Sequence, residues 1–308
     1  MFKKAPRPSD SVTNQQGMES PGLVSNREIK TTLEAVKCDP LINRRASYYD
    51  FKEKYDLKKG KGSLDVLIAN RAHTHREEAI KDRFAKGGRD TFAASLGEDL
   101  PLYANAPGRL GDFVKASVIK TAKPDDQGGN FVDLIIEVKN EWIANGAPKD
   151  MQNVPQKMIF LVDISTNEGD KQDVKVSVMR DKMLLYGEKA RVLCYEDSFG
   201  ELGIERPKLL VTKSLDYLEK VGTTLGTCIT QSAVDKFTIS SPSQFDKEYR
   251  AYFLDLMTSI GENARSNAEY IARLSDDNEK RSKLKAEYEK IVAFVEVYKK
   301  TPTFKPKA

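Results

Sequence analysis

Apolar positions in the last third of the chain step by three or four, with single steps at Tyr252-Phe253 and Leu256-Met257. Phe245, Tyr249, Tyr252, Phe253, Leu256, Met257, Ile260, Ala264, Ala268, Ile271 and Leu274 form one such series. This spacing predicts a long amphipathic helix. Ser275-Asp276-Asp277-Asn278 reads as a turn that also offers helix N-caps. A second series follows at Leu284, Tyr288, Ile291, Val292, Val295 and Tyr298. Two helices joined by so short a connection pack antiparallel, so residues 243–300 are expected to form a helical hairpin. Its apolar stripe requires a partner, either the β-rich region before it or another copy of the chain.

Upstream, the period shortens towards two. Phe113–Ala122 (FVKASVIKTA) and Phe131–Lys139 (FVDLIIEVK) read as strands around a polar turn, Lys123–Asn130. Lys157–Ser165 (KMIFLVDIS) is a third strand, and its unbroken apolar run predicts burial on both faces. Val174, Val178, Met179 and Leu185 return to near-helical spacing over 173–186, with Gly187 placed as a C-cap. Ala190–Tyr195 and Lys208–Thr212 read as strands four and five, joined by a long hairpin connection. Residues 214–231 read as one more helix. The expected class is α+β: a mixed central sheet of about five strands flanked by helices, then the C-terminal hairpin.

The rest of the chain adds little regular pattern. Residues 1–24 are rich in Pro, Gly, Ser and Gln and read as a disordered tail. Ser25 and Glu28 make a capping box, and Asp39-Pro40 ends the helix that follows. The expected divisions are a helical region over 25–110, a β-rich core over 111–240, the hairpin over 241–300 and a basic tail over 301–308.

Lys plus Arg number 50 against 46 for Asp plus Glu, so the net charge of +4 gives only a slight lean towards polyanions. No apolar run approaches the ~18 residues of a membrane span. The start, MFKKAPRPSD, has no apolar core of a secretory signal. Cys38, Cys194 and Cys228 are scattered, which points to a reducing cytoplasm rather than to disulfides or a zinc knuckle. The two histidines, His73 and His75, lie where a loop runs into a helix and lack zinc-ligand spacing there. No P-loop, G-x-G-x-x-G or G-x-S-x-G motif occurs, which argues against nucleotide hydrolysis, nicotinamide chemistry and an α/β-hydrolase elbow. Basic and aromatic residues interleave over 44–62. Arg44, Arg45, Lys58, Lys59 and Lys61 are candidate phosphate contacts, with Tyr48 or Tyr49 stacking on bases. The plainer reading is a solvated helix with its tyrosines on the core.

The acids carry the sharpest hypothesis. The order helix, three strands, helix, strand, with acids at strand ends over about 74–212, resembles the PD-(D/E)XK nuclease-like core. The resemblance implies carboxylates that hold Mg²⁺ and a lysine that positions or activates the attacking water. Two placements fit it. In the first, Glu137-Val138-Lys139 is the E-x-K, with Glu137 and Lys139 catalytic and Asp112 as the acidic partner for the metal. That pairing needs a turn centred on Pro124-Asp125; a turn at Gln127-Gly128 moves Asp112 opposite position 143. In the second, Asp133 and Asp163 are the metal pair, brought together by antiparallel pairing symmetric about Pro148, and Ser165 stands where a lysine is expected. The plain reading of E-x-K is two alternate residues on a solvated strand face, with Val138 pointing inward. Two functions follow. One is a Mg²⁺-dependent nuclease-like protein acting on DNA or RNA. The other is a non-catalytic scaffold or nucleic-acid-associated protein that oligomerises, or docks a protein partner, through the Phe245–Leu274 stripe.

Overall fold

The computed structural model describes residues 97–105, 115–121, 132–140, 154–166, 170–196, 202–231, 237–239, 241–274 and 278–300. Their centre is a four-stranded sheet of β1 (Ala116–Lys120), β2 (Leu134–Lys139), β3 (Lys157–Ser165) and β6 (Lys208–Thr212), in the order β1-β2-β3-β6. The first three strands form an antiparallel meander, and β6 joins β3 in parallel. The chain returns to the parallel position through α1 (Asp170–Met179), a π-helical turn (Arg180–Leu184) and an antiparallel ribbon of β4 (Ala190–Glu196) and β5 (Leu202–Arg206).

That ribbon corrects the expected strand count. Ala190–Tyr195 was expected in the central sheet, with a loop after it. Instead β5 pairs with β4, and the two form a separate two-stranded sheet. Among the described residues the central sheet therefore has four strands. Gly203, at φ +76 within β5, supplies a backbone conformation that L side chains rarely adopt. A further short pair, β7 (Ile229–Gln231) with β8 (Phe237–Ile239), takes the end of the segment expected to be helical to 231, so α2 spans only Leu215–Thr227.

Side-chain alternation explains how the sheet is sandwiched. Leu134, Ile136 and Val138 of β2 and Phe160, Val162 and Ile164 of β3 face the main core. Ile135, Ile159 and Leu161 face the other way, onto Ala190, Val192, Tyr195 and Ile204 of the ribbon. β3 is thus buried on both faces, as its apolar run implies.

The main core is closed by α3 (Pro242–Ala272) and α4 (Glu279–Lys299), which run antiparallel. Phe160 meets Phe294 edge-on at 5.8 Å, and Phe253 meets Tyr298 at 6.5 Å. The Tyr249 hydroxyl donates to the Pro101 carbonyl at 2.9 Å, which pins a 3-10 helix (Leu100–Asn105) against α3. The stripe from Phe245 to Ile271 is therefore buried inside the chain itself. Its large side chains are therefore taken up by the core of the chain itself.

Helix ends follow their local chemistry. Ser214 caps α2 by accepting the N–H of Tyr217 at 3.2 Å, and Asn278 caps α4 by accepting those of Lys280 and Arg281. Gly187 stops the π-turn at φ +70, and a Cβ there would lie 2.6 Å from the Lys280 backbone. Lys213, just after β6, pairs with Asp255 and donates to Ser259 Oγ at 2.7 Å, fastening the sheet to α3. No helix among the described residues is long and apolar enough to cross a membrane.

Candidate acid–lysine site

Pairing of β2 with β3 runs Leu134 to Val162 through Lys139 to Lys157. One step further in this register sets Asp133 against Asp163, the symmetry expected about Pro148. Backbone bonds hold Asp133 there: its N–H donates to the Val162 carbonyl and its carbonyl accepts the N–H of Thr121, both at 2.9 Å. Its side chain points across the strand gap, where Oδ2 accepts the N–H of Ile164 at 2.7 Å.

Asp163 itself is 4% exposed. Each of its oxygens meets an ammonium: Oδ1 lies 3.2 Å from Lys175 Nζ, and Oδ2 lies 2.9 Å from Lys208 Nζ. Lys175 comes from α1, and Lys208 opens β6 beside β3 in the parallel register. A unit-charge pair at such a distance gains roughly 5 kcal/mol at an effective dielectric of 20. That gain acts against the cost of taking the carboxylate out of water. Neither lysine was singled out by sequence. The available signals were a lysine at the first position of a strand parallel to β3, and one on the helix twelve positions after Asp163.

The other candidates fall elsewhere. Glu137 pairs with Ser117 across β1 and with Ile159 across β3. The first hairpin thus adopts a register centred on position 127 over its described part; Asp112 lies outside the described residues. Glu137 Oε2 forms an ion pair with Lys157 Nζ at 3.0 Å, and Lys139, two positions on, is exposed. Four strand positions, about 13 Å, separate Glu137 from Asp133, so the two acid groupings are distinct. Arg44, Arg45, Lys58, Lys59 and Lys61 lie outside the described residues, as do His73 and His75.

The donor set does not fit a divalent cation in this arrangement. Among the described residues, no three His, Cys, Asp or Glu side chains gather as a metal group. Asp163 is already charge-compensated on both oxygens, and Asp133 Oδ2 is engaged by a backbone N–H.

Comparison with protein-family models, with curated proteins and with solved structures gives no match for the chain.

Proposed function

We propose that the chain is a non-catalytic framework protein built on a nuclease-like sheet, with its acid position converted into a structural ion-pair node. The observation that carries this reading is Asp163, buried and bonded to Lys175 on one oxygen and Lys208 on the other. A catalytic carboxylate has to be available to a cation or a proton in the working complex. Here the carboxylate is committed to two cations of the fold itself.

A second reading, a Mg²⁺-dependent nuclease acting on DNA or RNA, is favoured by the facing of Asp133 and Asp163 and by the antiparallel, antiparallel, parallel strand order. Lys175 would then have to release Asp163 when substrate arrives.

One experiment separates the two. Plasmid, single-stranded DNA and single-stranded RNA are incubated with the full chain and Mg²⁺ or Mn²⁺. The framework reading expects no cleavage, and a melting temperature indifferent to either ion and to chelator. Cleavage by the wild type that disappears in Asp163→Asn installs the nuclease reading instead.

A further inference from the structure

Outside the acid–lysine site, the described surface holds one concave feature with a self-matching chemistry. A groove of about 330 Å³ runs between α3 and α4 on the side away from the sheet. Its floor is Ala268, Ala272, Val292 and Ala293. These are short side chains, so another helix can approach the backbone closely there. Its rim is two bases and two acids: Arg265 and Glu269 on α3, Lys285 and Glu289 on α4.

The order of those charges matters. On each helix the base comes one turn before the acid. A two-fold axis set across the helices rather than along them runs the same helix antiparallel over the contact, and such an interface pairs residue i with j and j with i. Arg265 of one copy then meets Glu269 of the other, and Lys285 meets Glu289. The rim is neutral as a whole and complementary to itself, which steers the groove towards a second copy and fixes its direction.

Within one chain these charges make only exposed contacts. Lys285 pairs with Glu289 and Arg265 with Glu296, each at 3.4 Å, with side chains 39–57% exposed. Pairs of this kind contribute little, so exchanging partners on association costs little.

We propose that the α3–α4 groove is the contact face of a two-fold homodimer of this chain. The proposal rests on the framework reading in treating the hairpin as an assembly element. It is read by mass and not by cleavage, so either can fail without the other.

The test is sedimentation of the full chain up to about 100 µM, a range that captures moderate affinities. Wild type is expected to dimerise. An all-acidic rim, Arg265→Glu with Lys285→Glu, and an all-basic rim, Glu269→Lys with Glu289→Lys, are each expected to remain monomeric. Their equimolar mixture is expected to associate. Circular dichroism reports whether each variant is folded, and Ala293→Glu on the exposed floor provides a second, independent block. A monomeric wild type, a dimer that persists in these variants, or a mixture of folded variants that stays monomeric overturns the proposal.

Discussion

Lys208 Nζ lies 2.9 Å from Asp163 Oδ2, with side chains only 9% and 5% exposed. The pair joins two parallel neighbours, β3 and β6, that the rest of the chain connects only through α1 and the ribbon. Removing one partner of a buried pair leaves the other charged and desolvated. Lys208→Met is therefore expected to cost about 3–5 kcal/mol in chemical denaturation. Lys175 is the more exposed partner, at 39%, so Lys175→Met is expected to cost about 1 kcal/mol or less. Asp163→Leu combined with Lys208→Met is expected to recover much of the loss, because an apolar pair of similar volume needs no compensation. Equal losses for the two lysines would contradict this ordering.

Among the described residues, the outer edge of β6 is met by side chains and not by another strand. Asn263 Oδ1 accepts the N–H of Leu210 at 3.0 Å and also an N–H of Asn267 at 3.1 Å, while the Tyr288 hydroxyl donates to the Lys208 carbonyl at 2.9 Å. An unsealed edge invites pairing with other chains. Asn263→Leu leaves the Leu210 amide buried without an acceptor, at an expected cost of about 1–3 kcal/mol. Hydrogen exchange at Leu210 is expected to accelerate beyond that global change. Unchanged protection at Leu210 would show that the edge is held by packing alone.

These two contacts mark where sequence was informative and where it was not. The bounds of β3 and β6 were legible because their apolar runs end in charged or polar residues at each side. The hairpin was legible because three-four spacing sustained over both segments, with only single steps between, fits a helix and not a strand. The facing of Asp133 by Asp163 was legible because the midpoint of the connection fixes an antiparallel register. The pairing of β4 with β5 was not. Leu202–Arg206 (LGIER) is short, polar and carries Gly203, so nothing local marks it as a strand. Lys175 and Lys208 were missed for a related reason. Parallel pairing and helix placement join residues far apart in the chain, and no spacing rule reaches across them. Asn263 reads as an ordinary polar position on a helix until β6 is laid beside it.

Gly261 sets how closely α3 and α4 approach. A Cβ at this position would lie 2.9 Å from Val295 Cγ1 and 3.3 Å from Val295 Cβ. Alanine favours a helix by about 1 kcal/mol over glycine. Overpacking of a filled core costs about 1–3 kcal/mol, so the clash is expected to win. Gly261→Ala should thus lower stability, and adding Val295→Ala should return part of it. Thermal melts of the two single variants and the double variant give the coupling directly. A stabilised Gly261→Ala would mean that the helices separate freely at this point.

Alkaline pH should unfold the chain through its tyrosines. Burial holds the hydroxyls of Tyr249, Tyr252, Tyr288 and Tyr298 well above the ordinary phenol value, and burial with the nearby Asp255 does the same for Tyr217. In the unfolded chain each ionises near pH ~10. Above that pH the unfolded state binds fewer protons than the folded state, so stability falls as pH rises. It is fully present below about pH 10, and each buried tyrosine removes at most about 1.4 kcal/mol per pH unit beyond it. Of the 12 tyrosines in the chain, the four fully buried ones, Tyr249, Tyr252, Tyr288 and Tyr298, should appear as tyrosinate absorbance only together with loss of the folded circular dichroism signal. Tyr288→Phe removes one ionisable hydroxyl and should flatten the alkaline slope, while costing the hydrogen bond to the Lys208 carbonyl at neutral pH. Smooth titration of all 12 near pH ~10 without unfolding would show that these hydroxyls reach water in the folded chain.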